Sequence, residues 1–469
     1  MMKRLLSAGV GLLALTLLAT CGEPRPPRPP RFDNLVIILI DTLRSDHLAS
    51  YGYERDTAPF LGELAAGGIQ LQGYPASSWT RPSIATLLTG LHPQRHQAIG
   101  RRDSLPEDVA FLPQVLADAG FTTAGYAGNM NASRRWGFHR GFQQWRQCSP
   151  QGKVKARRVT YEALEMLPSL EAPFLLYIHY VDPHDPYRPE RAWEDEAEPR
   201  PYVQPKQVRE QGVPWEAAEI RRMVDQYDGE IREMDAQIRR LFQALAERGL
   251  LEDTLVVVTS DHGEEFGEHG GLTHGVTLYE EVLRVPFLLW SREGLPHYAS
   301  DAVLHQVDFL PTVLEALGLA AHTPPRLDGT SRWQQIAAGT SPAPEDLFFH
   351  LDLSGRGAVA MTRHPWKWIH TNATPHDQLF DLAADPGETR TLDARTSAAA
   401  SLDLKHLLIR HHNRLGTLAA RRELAEMDDE SRRALAALGY LALSTSDEEL
   451  AERAVPRLLD REEGLAAAQ

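Results

Sequence analysis

Uninterrupted apolar runs separated by amphipathic stretches set the texture of residues 32 to about 320. Leu35-Val-Ile-Ile-Leu-Ile40, Phe174-Leu-Leu-Tyr-Ile178 and Thr254-Leu-Val-Val-Val-Thr-Ser260 are short and apolar, and two of them are rich in β-branched residues. Such runs predict strands buried on both faces, as in a parallel sheet, and their alternation with helical stretches predicts an α/β domain. One helix is written clearly: Ile220, Val224, Tyr227, Ile231, Met234, Ile238, Leu241 and Leu245 step by four and three, and Gly249 closes it. The stripe is expected to cover the sheet, with the charges between its members solvated. After Pro324-Pro325 the texture changes. Leu347-Phe-Phe-His350, Ala358-Val-Ala-Met361 and Trp366-Lys-Trp-Ile-His370 predict a small antiparallel sheet, and from about 397 the chain turns Ala-, Leu-, Arg- and Glu-rich and helical. The expected fold class is α/β: a large mixed, mainly parallel sheet sandwiched by helices, with a small C-terminal antiparallel subdomain.

Each of the three apolar runs leads into metal-ligand chemistry. The first ends in Asp41, the second leads to Asp182 and His184, and the third ends in Asp261-His262. A single Asp in such a place is more simply a helix cap or a turn residue. Three runs delivering carboxylates and histidines to one sheet edge predict a metal site, because ligands of open α/β sheets bind at the carboxyl ends of the strands.

The start of the chain changes the picture of where the protein works. Lys3-Arg4 followed by Leu5 to Ala19 has the charged and apolar regions of a secretory signal and is too short for a stable membrane span. It ends Leu18-Ala19-Thr20-Cys21, which resembles a bacterial lipoprotein processing site with Cys21 as the lipidated residue. The expected organisation is a signal peptide over 1–20, a Pro-rich tether over 21–31 and a catalytic domain over 32–325. A small-sheet subdomain over 326–396 and a helical tail over 397–469 complete it. An exported protein held at the membrane by a lipid anchor, in the periplasm or cell envelope, is the expected localisation. Cys148 is the only other cysteine, so no disulfide framework is possible if Cys21 carries lipid. The net charge of −15, which becomes −17 once a leader with Lys3 and Arg4 is removed, excludes nucleic acid as a partner. An anionic substrate must then be drawn by a local positive centre, which bound metal would supply. Oligomeric state leaves no trace in the sequence.

The segment Ser77-Ser-Trp-Thr80-Arg-Pro82-Ser83-Ile84-Ala-Thr-Leu-Leu88-Thr89-Gly90 bears on function. Pro82 suits the first turn of a helix, which places Thr80 at its N-terminus, where free N–H groups favour an anion. Together with Asn34-Leu-Val-Ile-Ile-Leu-Ile-Asp41, Thr57-Ala-Pro59-Phe60 and Val181-Asp182-Pro-His184-Asp-Pro-Tyr187, this segment resembles the sulfatase family of the alkaline phosphatase superfamily. Thr259-Ser-Asp261-His262-Gly263, Gly267-Glu-His269-Gly270, Tyr279-Glu-Glu281 before Arg284-Val-Pro286, and Gln378-Leu-Phe-Asp381 extend the resemblance, in order, over nearly all of 32–395. It implies an alkaline phosphatase-like fold and an enzyme acting on ester bonds.

The departures from the family pattern are equally specific. Thr80 stands where the family has the Cys or Ser converted to formylglycine, and Ile84 replaces the supporting Arg. The family's paired Asp is Asp41-Thr42, its Lys-x-His is Asn129-Met-Asn131, the Asn after Asp261 is His262, and a Lys gives way to His274. These replacements resemble the phosphodiesterase and phosphotransferase branches, where a threonine attacks phosphorus beside a metal. The resemblance implies a metal held by Asp41, Asp261 and His262 with Thr80 as a further ligand and nucleophile. Mixed O/N ligation suits Zn²⁺ or Mn²⁺ better than the Ca²⁺ of an all-oxygen site. Asp182, His184 and His274 are expected either to hold a second ion or to donate hydrogen bonds to the ester oxygens. Asn129 is a candidate phosphoryl-oxygen donor, and His179 and His269 are candidate substrate-side residues. The expected function is hydrolysis of sulfate or phosphate esters, foremost phosphodiester or phosphonate ester cleavage. The alternatives are a sulfuric ester hydrolase without formylglycine, a phosphoethanolamine or phosphoglycerol transferase, and an inactive surface protein that binds an anionic glycan or headgroup.

Overall fold

The computed structural model describes residues 30–148, 153–191, 193, 216–340, 346–353, 356–374, 376–392, 398–416 and 423–424. The expected leader, Cys21, most of the tether and the end of the tail lie outside these residues. In chain order the strands of the main domain are β1 (Asn34–Ile40), β2 (Ile69–Tyr74), β3 (Asp103–Ser104), β4 (Thr122–Ala127), β5 (Gln144–Gln147), β6 (Phe174–Tyr180), β7 (Thr254–Ser260), β8 (Glu265–Phe266), β9 (Leu272–Thr273), β10 (Val285–Trp290) and β11 (Tyr298–His305). Eight of them form one sheet in the order β11-β2-β10-β7-β1-β6-β4-β5. Only β10 runs against its neighbours, β7 and β2; the other pairings are parallel. The mixed, mainly parallel sheet expected from the apolar runs is present.

The three runs become adjacent central strands β7-β1-β6, in which every residue is buried. Their side chains alternate between two cores, one on each face: Leu35, Ile37 and Leu39 enter one, and Val36, Ile38 and Ile40 the other. That two-sided burial is why these strands carry no polar alternation. The helix Ala217–Glu247 begins with a reciprocal cap between Glu216 and Glu219 and lays Tyr227, Ile231, Met234, Ile238, Leu241 and Leu245 on the second core.

Its charges depart from expectation. Asp228, Glu230 and Asp235 are buried, not solvated. Each is satisfied by the layer it meets. Asp235 accepts from the N–H groups of Phe60 (3.0 Å) and Leu61 (2.9 Å) at the start of helix α1 (Pro59–Ala66), and Asp228 pairs with His47 (2.7 Å) and Arg55 (2.8 Å). Glu230 binds Lys153 and Lys155. Period alone cannot show that a helix is wide enough in its contacts to bury its flanks as well as its stripe.

The C-terminal sheet is an antiparallel meander of β12 (Leu347–Leu353), β13 (Arg356–Arg363), β14 (Trp366–Thr371) and β15 (Gln378–Asp381). The helix Ala398–Gly416 packs Leu404 and Leu408 on Val359, Met361 and Trp368 of that sheet. A buried cation joins the sheet to the main domain. Lys367 Nζ lies 2.9 Å from Glu280 and 2.8 Å from Glu388, and the Tyr74 hydroxyl donates to Glu280 at 2.6 Å.

Candidate active site

Because β1, β2, β4, β6 and β7 run the same way, their carboxyl ends open onto one edge and gather the residues that follow them. Asp41 follows β1, Asp261 and His262 follow its neighbour β7, and Asn129 comes just after β4. Helix α2 (Thr80–Thr89), entered after β2, begins with Thr80 and is buried along its whole length. Asp41, Thr80, Asn129, Asp261 and His262 are all fully buried.

The hydrogen bonds leave a defined set of atoms over. Asp261 Oδ1 accepts from the backbone N–H groups of Thr42 (3.3 Å) and His262 (3.0 Å). Thr42 takes a positive φ of 58° to point its N–H there, a conformation uncommon for a β-branched residue. Asp41 Oδ2 accepts from Asn129 Nδ2 at 2.6 Å, and His179 Nε2 faces it at 3.4 Å. The other two oxygens, Asp41 Oδ1 and Asp261 Oδ2, have no hydrogen-bond partner. They lie 3.7 and 3.4 Å from one nitrogen, His262 Nε2, and Thr80 Oγ1 lies 3.3 Å from that same nitrogen. His262 Nδ1 donates to Gly263 O at 2.9 Å, which fixes the tautomer and leaves Nε2 with its lone pair.

Two orphaned carboxylate oxygens, an imidazole lone pair and a hydroxyl therefore converge, with the carboxylate and imidazole atoms within 4.8 Å of one another. This donor set fits a divalent cation. The electrostatics lean the same way. Burial alone would raise Asp41, but the imidazoles of His184, His179 and His262 hold it well below the usual carboxylate range. Burial and the Asp41 charge push Asp261 well above that range. Two buried carboxylates this close are both ionised only when a cation stands between them.

A second group of histidines borders this cluster. The His274 ring lies 4.4 Å from that of His262 and 4.8 Å from that of His184. His184 Nδ1 donates to Asp185 O, and His274 Nδ1 donates to Glu264 at 2.8 Å. Asp182 goes elsewhere. Its carboxylate accepts from Ala156 N at 2.7 Å, at the start of the helix Ala156–Met166, and pairs with Lys153 at 2.9 Å. It acts as a cap and a counter-charge, so the expected grouping of Asp182 with His184 and His274 around an ion does not form here. Asn129 spends its amide on Asp41, with Thr80 Oγ1 at 3.5 Å from the same nitrogen. His179 stands behind Asp41, and His269 lies at the contact with the C-terminal sheet. There it donates to Glu281 (2.7 Å) and to Glu388 O (3.1 Å) while stacked on Tyr279 at 3.6 Å. Burial opposes the charge on His269, but these acceptors push its pKa up to about 9.

Two residues around the site were not singled out by sequence reasoning. Glu264 is one; its only signal was its place in the Asp-His-Gly-Glu-Glu run. Arg81 is the other. Its guanidinium lies 3.6 Å over the Trp136 ring and donates to the carbonyls of Gly100 and Arg101 (2.8 Å each) and to Asn131 Oδ1 (3.0 Å).

A mainly parallel sheet that brings a buried hydroxyl, two carboxylates and imidazoles to one edge is the architecture of an ester-bond hydrolase with a metal site. The family model described as Sulfatase matches residues 33–319, and the chain belongs to the sulfatase family, within the alkaline phosphatase superfamily. It is 26% identical to the low-salt glycan biosynthesis sulfotransferase Agl7 of Haloferax volcanii over 69% of this chain and 70% of that protein. It is 28% identical to human arylsulfatase A, covering 81% of this chain and 86% of the relative. Among solved structures, the phosphonate monoester hydrolase SpPMH from Silicibacter pomeroyi superposes with a TM-score of 0.66 at 20% identity, over 81% of this chain and 95% of that one. The protein is thus a sulfatase-family hydrolase of sulfate or phosphate esters. Among the described residues no helix is long and apolar enough to cross a membrane.

Proposed function

We propose that the protein cleaves monoanionic phosphorus esters, phosphodiesters or phosphonate monoesters, with Thr80 as the nucleophile. One observation carries this reading. A hydroxyl that cannot become formylglycine begins α2 at the point where Asp41 Oδ1, Asp261 Oδ2 and His262 Nε2 converge. A divalent ion held by Asp41, Asp261 and His262 would lower the pKa of the Thr80 hydroxyl and stabilise charge on the ester. Thr80 Oγ1 attacks phosphorus in line with the leaving oxygen, forming a phospho-threonine, and its proton ends on the departing alcohol. Water then displaces Thr80 and restores the hydroxyl. Asn129 fixes Asp41, and His184 and His274, the imidazoles beside His262, would face the ester.

The preference for a single negative charge follows from the replaced cations. Asn129, Ile84 and His274 stand where the family pattern has Lys, Arg and Lys, and Arg81 is committed to Trp136 and to backbone carbonyls. A dianionic monoester would find less positive charge to meet it. The names of the relatives favour a second reading, transfer or hydrolysis of a sulfate ester by the same threonine. Export and anchorage through Cys21 are part of the proposal and rest on the sequence alone.

Matched aryl phosphodiester, phosphonate monoester, phosphate monoester and sulfate substrates separate these readings. Diester or phosphonate turnover is expected to lead, and Thr80→Ala to lose roughly 10³-fold or more of it. Sulfate turnover in the lead would favour the second reading, and a Thr80→Ala variant with most of its activity would remove the nucleophile.

A further inference from the structure

Three imidazoles meet at the edge of the site, and each has an acceptor at Nδ1. For His262 it is Gly263 O and for His184 it is Asp185 O, both carbonyls of a neighbouring residue in the chain. For His274 it is Glu264, a side chain from ten positions earlier and the only carboxylate of the three acceptors. A ring pinned by an adjacent carbonyl is oriented by local backbone geometry. His274, just beyond β9 and before Gly275, whose φ is positive, gives its Nδ1 to a side chain instead. Glu264 is therefore placed to set its direction.

Glu264 is itself held firmly. It is fully buried, its backbone carbonyl accepts from Arg44 Nη1 at 2.9 Å, and the Tyr187 hydroxyl hydrogen-bonds its carboxylate. Tyr187 is buried too, with its ring packed on Tyr227 (5.8 Å) and Phe266 (5.8 Å). A buried residue held at its backbone carbonyl by Arg44 and at its carboxylate by Tyr187, and presenting Oε1 to an imidazole, fits a positioning role.

We propose that Glu264 is a positioning residue that acts through His274: it fixes the Nδ1–H tautomer and turns Nε2 toward the ester beside His262 and His184. The inference rests on the reading of His274 as an ester-facing group. Glu264 does not itself touch the ester.

A double-mutant cycle tests it. Glu264→Met keeps the volume and removes the acceptor, whereas Glu264→Gln keeps an acceptor oxygen. With the best ester of the substrate panel, Glu264→Met is expected to lower kcat roughly 10–100-fold with little change in KM. Glu264→Gln should recover most of that loss. In a His274→Ala background, Glu264→Met should have no further effect. A crystal structure of Glu264→Met should show the His274 ring rotated or flipped. Losses that multiply in the double mutant, or a ring left unmoved, would overturn the positioning role. Melting temperatures of the same variants identify any that are merely unfolded, and in that case Glu264→Ala takes the place of Glu264→Met in the cycle and the crystal structure. The Thr80→Ala control keeps the inference separate from the proposed function. If Thr80→Ala retains activity the nucleophile is wrong, whatever the Glu264 variants show.

Discussion

Two regions of this molecule are rich in histidine and treat it in opposite ways. At the carboxyl edge of the sheet, His184, His262 and His274 each give Nδ1 to a fixed acceptor, so each ring is aimed. Where the helix Ala398–Gly416 meets the main domain, His92, His96, His305, His350, His411 and His412 come together and rings mostly meet rings. His411 lies flat on Phe348 at 3.5 Å and edge-on to His92 at 4.7 Å, and His92 lies 5.5 Å from His305. Nε2 of His411 and Nδ1 of His350 are buried without a hydrogen-bond partner. Burial drives His96, His350 and His411 down to about 3; the His350 charge adds to this for His96, that of His412 for His350, and those of Arg414 and His305 for His411. In the first region each ring is thus aimed by its Nδ1 acceptor; in the second, His96 and His305 keep hydrogen bonds at both ring nitrogens, whereas His350 and His411 leave a buried nitrogen unbonded and pack as aromatics. The first region should respond to loss of a ligand, the second to acid.

The strongest break is expected at the sheet edge. Asp261→Asn removes an orphan oxygen from the converging set, and both bound metal, read by elemental analysis, and ester turnover should fall, the latter by roughly 10³-fold or more. The folded chain should survive, because the backbone N–H groups at Oδ1 keep an acceptor. A variant that retained its metal and its rate would move the centre elsewhere.

Next comes the contact between the domains. Lys367→Met would leave Glu280 and Glu388 facing each other in a buried place, and breaking a buried pair this way costs roughly 3–5 kcal/mol. A lowered urea midpoint with an unchanged KM is expected. An unchanged midpoint would mean that Lys367 contributes nothing net to this contact.

The smallest effect sharpens the comparison most. The histidines at the helix contact have folded pKa values below their unfolded value near 6.5. The unfolded chain therefore takes up more protons below that pH, and stability present above about 6.5 is lost as the pH falls toward 3. At pH 5 a ring held near 3 removes about 2 kcal/mol. His411→Phe, which preserves the stack on Phe348, should shrink the fall in melting temperature between pH 7.5 and 5. An equal fall in both proteins would place the acid sensitivity elsewhere.

The arrangement at the sheet edge was legible wherever a residue directly follows a parallel strand. Asp41, Asp261 and His262 have nowhere else to go once β1 and β7 lie side by side, and Pro82 placed Thr80 at the start of α2. Asp182 shows the limit of that reasoning. It lies two residues past β6, as His262 does past β7, yet its carboxylate turns to the helix Ala156–Met166 and to Lys153. The path of the loop decides direction, and its residue types do not reveal it. Glu264 escaped notice because its partner His274 is brought to it by the β8–β9 hairpin, a contact made in space. The antiparallel β10 was hidden for a similar reason, since Val285–Trp290 reads as apolar whichever way it runs. The buried acids of the long helix were misjudged because a charge in sequence looks the same whether water or a helix N-terminus receives it.

The pairing of β1 with β7 has a consequence for timing. Asp41 and Asp261 belong to distant parts of the chain and become neighbours only through that long-range parallel pairing, residue Ile40 beside Ser260. Long-range parallel contacts form slowly. A nascent chain that already carries Asp41 and Thr80 has no means of holding an ion selectively until the strand before Asp261 has been made and has slotted in beside β1. Ion capture at this edge would therefore be a late event in the life of each molecule, and whichever metal is abundant where folding ends would be the one the finished site meets first.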